Sequence, residues 1–285
     1  MPDFGIFRGF ADKLFGDKLY AGQLPTFLGL IGSLSAYDTD AQAFFDRVTA
    51  AGGTLSETEK TATNQLVLDM KAASIWTLQK AIYPMVGASA AACAQNLKSS
   101  SFTGTFNGGV TFASTGFTPN GVTGYMDTFL IPNTSLSQNS SHISAYSRTN
   151  SLSGAIMGCF DSGAANGLYT NPKFGSGTQE SRNNSGDGGN ATSTDSRGFW
   201  INNRISSSQY KIFRNNTTNQ TSNTNSTGLC SINAYMGALN RFGIAVESQN
   251  REIAFGSIGD GLTDTQAANF YTAVQAFQTT LSRNV

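Results

Sequence analysis

The chain contains a single His, three Cys and 18 acidic side chains, so the chemistry it can carry is searchable residue by residue. A Ser-His-Asp triad would have to use His142 as its base. That residue opens an alternating run, His142-Ile143-Ser144-Ala145-Tyr146-Ser147, in which it shares a face with Ser144 and Tyr146. The reading is a hydrogen-bonded strand histidine. Glycoside hydrolysis needs two carboxylates about 5–9.5 Å apart. The nearest acidic pair in sequence is Glu247 and Glu252, and the intervening Ser248-Gln249-Asn250-Arg251 reads as a strand–turn–strand with a solvated Arg. Cys93, Cys159 and Cys230 are odd in number and far apart, which fits buried reduced thiols rather than a disulfide frame or zinc site. Loop oxygens of Asp161, Asp187, Asp195 and the many Asn are of the calcium-binding type, but no spacing selects a set. Asp260-Gly261 reads as a turn into a helix. No catalytic residue, metal or cofactor is predicted.

Sugar binding asks for aromatic platforms beside hydrogen-bonding groups. Tyr125, Tyr146, Tyr169 and Trp200 are the candidates for glycan contact. Two other classes of partner are disfavoured. Basic and acidic side chains balance at 18 each, and charged residues make up only 13%, so no basic face is available for nucleic acid or anionic lipid. No run approaches the ~20 apolar residues of a membrane span. The opening Met1-Pro2-Asp3-Phe4-Gly5 lacks a basic region followed by an apolar run, and so reads as no secretory leader.

The elements that would position these residues follow from periodicity. Residues 1–36 read as an anchoring arm, with Phe4, Phe7, Phe10, Leu14 and Phe15 crowded among Gly, Asp and Lys. Such apolar residues should dock, and another chain of an assembly is the expected host. Residues 37–81 read as a small helical unit. Thr39 is the expected cap of a first helix stopped at Gly52-Gly53, and Ser56 with Glu59 forms a capping box for a second. Trp76, Leu78 and Ile82 suit a further short helix before Pro84.

Residues 82–285 read as an antiparallel β-sandwich with about nine short strands. The candidates are 109–113, 122–131, 142–148, 155–160, 199–203, 210–214, 229–236, 242–246 and 253–258. Asn215-Asn216 is a tight hairpin turn. The polar stretches 175–197 and 215–228 read as long loops or exposed ribbon tips outside the core. A C-terminal helix over 264–282 closes the sandwich, with Thr263 and Gln266 as its capping box and Phe270, Val274, Phe277 and Leu281 as its apolar stripe.

Several segments carry a resemblance: Ala81-Ile82-Tyr83-Pro84-Met85-Val86-Gly87, Asn96-Leu97-Lys98, Tyr125 to Asn133, His142 to Asn150, and Ile258 to Thr265. Together, over about residues 75–285, they resemble a concanavalin A-like, laminin-G-like sandwich module of bacteriophage structural proteins, notably in phages of Bacteroidetes and marine bacteria. Gly9 to Phe15 and Gly22-Gln23-Leu24-Pro25 are similar to the N-termini of such virion proteins. Enzymes of the concanavalin-like class place Glu-x-Asp-x-Glu along one strand, and no such run occurs here.

The resemblance implies a non-enzymatic virion component, made in the host bacterial cytoplasm. It would be a head or tail fibre, spike or decoration protein, held to other virion proteins by its arm. It would display a lectin-like sandwich, to host-surface glycans or as decoration alone. A glycan-cleaving enzyme on the same fold is the alternative. Homo-oligomerisation, as a trimer, is expected of a particle protein on a symmetry axis, without nucleic acid or membrane insertion.

Overall fold

The computed structural model describes residues 37–161 and 166–285, so the anchor positions Phe4, Phe7, Phe10, Leu14 and Phe15 lie outside the described residues. Helix α1 (Thr39–Ala50) is capped by Asp38 rather than Thr39, because the Asp38 carboxylate accepts the Asp40 N–H. Gly52, at φ +81°, ends it where a left-handed residue is needed. Helix α2 (Glu57–Ala72) carries the expected Ser56–Glu59 capping box. A single 3₁₀ turn at Trp76–Leu78 follows. Ile82 is not helical. It lies in strand β1 (Gln79–Tyr83), where the pairing edge of a central strand outweighs local helical spacing.

Short helices α3 (Ala90–Cys93) and α4 (Pro132–Ser135) interrupt a run of strands. These are β2 (Thr105–Asn107), β3 (Val110–Ala113), β4 (Gly116–Pro119), β5 (Tyr125–Asp127), β6 (Ser141–Ser147), β7 (Met157–Phe160), β8 (Gly167–Phe174) and β9 (Thr178–Ser185). Then come β10 (Gly189–Thr192), β11 (Gly198–Arg204), β12 (Tyr210–Arg214), β13 (Thr217–Ser222), β14 (Tyr235–Met236), β15 (Leu239–Arg241), β16 (Ile244–Val246) and β17 (Ile253–Gly259). Helix α5 (Asp264–Thr280) ends the fold behind the expected Thr263–Gln266 capping box. The chain is mainly β, with two sheets forming a sandwich. One has the order β13-β12-β11-β6-β17-β4-β3, with β1 also on β17. The other runs β10-β9-β8-β7-β14-β5-β2, with the β15–β16 hairpin on β7. All pairs are antiparallel except β15 with β7. Residues 38–285 form one compact unit.

Alternation along each strand decides the core. Ile143, Ala145, Ile253 and Ile258 of one sheet meet Met126, Met157, Cys159, Leu168 and Met236 of the other. On the outer side of the first sheet, Phe270 and Phe277 of α5 pack on Phe199 and Phe255, with ring centroids 5.2–6.4 Å apart.

Several expectations are corrected. Residues 122–131 hold only the three-residue β5. The Asn120 side-chain Oδ1 accepts from the N–H groups of Val122, Thr123 and Gly124 and gathers them into a turn, and Phe129 takes φ +55°. Of 229–236, only Tyr235–Met236 is strand. The stretch 175–197 is not a loop outside the core, since it holds β9 and β10, and 215–228 holds β13.

Gln179, Ser181, Asn183 and Asn184 are buried and hydrogen-bond with other polar groups of the chain, although Asn184 Oδ1 has no partner among the described residues. Asn183 accepts from Ser141 Oγ at 2.9 Å and donates to Asn202 Oδ1 at 3.0 Å, while Arg204 Nε donates to the Asn183 carbonyl at 2.8 Å. One end of the sandwich interior is therefore a hydrogen-bonded layer of amides, hydroxyls and a guanidinium. Arg251 is not solvated either. It is fully buried and donates to the carbonyls of Gly154, Ser151, Ser153 and Lys173. The Asn215 turn is as expected, with φ +55° between β12 and β13.

Candidate functional site

The outer face of the nine-stranded sheet assembles the groups with binding chemistry. Met157 and Cys159 point inward, so alternation sends Gly158 and Phe160 outward. Strand register then lays one outward row across five strands: Asp127, Tyr235, Gly158, Tyr169 and Arg182. A second row pairs Arg241 with Phe160 and Phe160 with Gly167. The two glycines have a local purpose. A Cβ at Gly167 would sit 2.8 Å from Arg182 Cδ and 3.1 Å from Phe160 Cδ2, and one at Gly158 would meet Tyr169 Cβ at 2.4 Å. Bare backbone at these points lets Arg182 and Tyr169 lie along the sheet.

Around Phe160 the packing is aromatic and cationic. The Phe242 ring is 5.6 Å away, and the Arg182 and Arg241 guanidiniums lie 4.8 and 5.7 Å from the Phe160 centroid. Arg241 also lies 5.3 Å from the Phe242 ring. Phe242-Gly243 is the two-residue tip of the β15–β16 hairpin, closed by the Arg241–Ile244 pair, and both tip residues have positive φ (+58° and +85°). That geometry suits Asn-Gly and strains Phe. Phe242 is 50% exposed, Ile244 65%, and Arg241 is exposed as well. Behind the tip, Leu239 and Val246 of the hairpin pack on Tyr169 and Ala155.

Two carboxylates border this cluster. Tyr169 donates its hydroxyl proton to Glu180 Oε1 at 2.7 Å. Burial, and then the Glu180 carboxylate, holds the Tyr169 hydroxyl well above its usual range. Burial likewise raises the Glu247 carboxyl, the nearby Glu180 charge adds to the rise, and Arg241 opposes it. Glu180 and Glu247, not Glu247 and Glu252, are thus the acids the fold brings together. Glu252 is paired instead with Arg148 and Thr115.

The four aromatic candidates separate. Tyr125 is half-buried, stacked on Tyr235 at 4.5 Å, and belongs to the open face with Tyr169, which is 5% exposed. Tyr146 and Trp200 do not present rings to solvent. Tyr146 is sealed beneath α5, with its hydroxyl donating to Gln275 and accepting the Val285 N–H. Trp200 lies inside the sandwich, its Nε1–H donating to the Ser196 carbonyl at 2.9 Å.

His142 is fully buried, and desolvation pushes its pKa down to about 4. Nδ1 faces the Asp260 carbonyl, which only accepts, so the proton sits there and Nε2 accepts from Ser257. It is a structural imidazole. Among the described residues, no three His, Cys, Asp or Glu side chains gather as a metal site. Asp161 binds Ser231 and Asp195 binds Arg197 and Arg214, so the calcium-type acids named from sequence do not converge. All three cysteines are free and buried.

Sequence reading missed Phe160, Phe242, Arg182, Arg241 and Glu180. Two signals were available: the outward parity of Phe160 in an alternating strand, and a Phe beside Gly at a hairpin tip.

No protein-family profile matches the chain, and no curated protein matches it. Solved structures do. The receptor binding domain of botulinum neurotoxin C/D mosaic serotype aligns over 70% of this chain and 52% of that one, at 12% identity and TM-score 0.51. Domain 4 of a GH43 extracellular arabinanase from Geobacillus stearothermophilus, solved in complex with arabinotriose, aligns over 68% of this chain and 98% of that one. Its identity is 12% and its TM-score 0.49. The chain spans about half the length of the toxin domain. The likeness to the toxin domain, together with the two mainly antiparallel sheets, shows the fold: a two-sheet β-sandwich closed by a C-terminal helix.

Proposed function

We propose that this chain is a bacteriophage virion protein, a fibre, spike or decoration component, whose sandwich binds host-surface glycans without cleaving them. One observation carries the binding half: an exposed ring at a strained hairpin tip, next to a second ring and two guanidiniums, on an outer sheet face. A sugar presents C–H groups to such rings and hydroxyls to such donors. The toxin domain that shares the fold is a receptor binding domain, which agrees with this use of a sandwich. The virion half is supported by the sequence resemblance, including that of the aromatic arm. Attachment through Phe4, Phe7, Phe10, Leu14 and Phe15 to other virion proteins, a trimeric assembly and a location on the particle belong to the same proposal.

The test uses the full chain on host cells with and without periodate oxidation of surface sugars. Saturable binding lost after periodate supports the reading. Binding that survives oxidation, or no binding by an artificially multimerised form, overturns the glycan half. Particles assembled with a chain lacking residues 1–36 test the arm: undiminished incorporation overturns the anchor.

The Glu180–Glu247 neighbourhood favours a second reading, glycan cleavage. There Glu247, with its raised carboxyl, would be the acid, and Glu180 the charged partner. Release of reducing ends from host polysaccharide by the wild type and not by Glu247→Gln would establish it. No release by either variant leaves the binding reading.

A further inference from the structure

Many surface cations of this chain sit on acids, while Lys98 lies over the Trp76 ring and Arg47 and Lys173 donate to backbone carbonyls. Lys71 lies on Asp38 and Asp40, Lys80 on Asp260, Arg148 on Glu252, Arg197 and Arg214 on Asp195, and Lys211 on Asp264. Arg241 and Arg182 form no ion pair among the described residues, although Glu180 and Glu247 are close enough to be felt. Arg241 lies against the faces of Phe160 and Phe242, and among the described residues its guanidinium N–H groups make no hydrogen bond. Arg182 donates one N–H to the Gly186 carbonyl, and its buried Nε has no hydrogen-bond partner. Two like charges are therefore held within 6 Å of one ring. Guanidinium forks match carboxylates bidentately, and an unpaired one beside an apolar ring is arranged for such a ligand.

The neighbouring acids are arranged so as not to block this. Glu180 is engaged by the Tyr169 hydroxyl, and burial together with the Glu180 charge raises the Glu247 carboxyl.

We infer that the ligand of this face is an acidic glycan, whose sugar carboxylate is received by Arg241 and Arg182 while its ring rests on Phe160 and Phe242. The inference rests on the glycan-binding reading above and narrows it to carboxylate-bearing sugars. Sialic acids and uronic acids share that chemistry. A neutral hexose would leave both forks unanswered.

The experiment titrates the full chain with four probes: sialyllactose, lactose, a galacturonic acid oligosaccharide and maltohexaose. It repeats them with Arg241→Gln and Arg241→Lys, each first checked for an unchanged melting temperature. The expected result is at least tenfold preference for one acidic probe over its neutral counterpart. Arg241→Gln should remove that preference, Arg241→Lys should restore it in part, and added salt should weaken it. The two acidic arms identify which sugar supplies the carboxylate. Equal binding of neutral and acidic probes, or a preference untouched by Arg241→Gln, overturns the inference and leaves the glycan-binding reading standing. Binding of none of the probes, together with periodate-insensitive cell binding, overturns both.

Discussion

The two outer faces of the sandwich use the same side chains to opposite ends. On the eight-stranded sheet, Tyr146, Phe199 and Phe255 lie with polar His142, Ser144 and Ser257. On the nine-stranded sheet, Tyr169, Phe160 and Tyr235 lie with polar Arg182, Glu180 and Asp127. Residue type alone does not tell them apart. What differs is the cover. Helix α5 lays Phe270, Val274 and Phe277 over the first face and makes it core. Among the described residues, the second receives only the β15–β16 hairpin, whose own tip is exposed. An aromatic on a sheet becomes core or platform according to what the chain sends back over it.

The largest expected effect is on the covered face. Phe270→Ala removes a fully buried ring that touches Phe199, Phe255 and His142. It should cost about 3–5 kcal/mol of stability, read by denaturant unfolding. A loss below about 1 kcal/mol would mean that α5 is not the seal described here. Next comes His142. Its folded pKa, near 4, lies below the unfolded value, so the unfolded chain binds the proton more readily. Its contribution is complete above about pH 6.5 and is lost as pH falls towards 4, by roughly 3 kcal/mol in all. His142→Gln should flatten the stability profile between those limits relative to wild type. An unchanged slope would show that the imidazole is not buried in its neutral form.

The covered face was the more legible one in the sequence. Thr263, Gln266 and the Phe270-Val274-Phe277 stripe announce a helix with one apolar side, and His142 to Ser147 alternates as a half-buried strand should. The polar end of the interior was not legible, for a physical reason. Hydrophobic periodicity reports only apolar burial, whereas Asn183, Asn202 and Arg204 are buried by satisfying one another and Gln179 by pairing with Ser181. Runs such as Thr178–Ser185 look like loops until their partners across the sandwich are known. The same blindness hid Arg251 and Arg283, both fully buried and both donating to backbone carbonyls. Burial pushes each guanidinium down to about 10, still far enough above neutral pH to keep its charge. The open face was half legible. Tyr125 and Tyr169 were named as glycan candidates, but Arg182 and Arg241 are separated by 59 positions and meet only because both pack on Phe160.

Phe242 gives the sharpest contrast with Phe270. Its backbone sits at φ +58°, a conformation that costs a residue other than Gly, Asn or Asp on the order of 1 kcal/mol. Phe242→Asn should therefore leave stability unchanged or raise it by about that amount, while abolishing cell binding. Stability and binding would move in opposite directions, which no core aromatic can do. A drop of more than about 2 kcal/mol in stability would place Phe242 with the core and dissolve the distinction between the faces.

The smallest effect is the pH response of binding on the open face. Glu247 is raised by burial and by Glu180 of β9, lowered by Arg241 of β15, and felt by Tyr169 of β8. An anionic ligand beside Arg241 adds negative potential and raises that carboxyl further, so binding takes up a proton. Affinity for an acidic glycan should then rise, by a few fold, as pH falls through the Glu247 titration. Glu247→Gln removes the titrating charge, so it should bind more tightly at neutral pH and show a flatter profile. If affinity instead fell with pH in wild type and variant alike, the ligand would be losing its own charge. Protonation of the face would then have no part in recognition, and the pH response would report the ligand's own carboxylate on the guanidiniums.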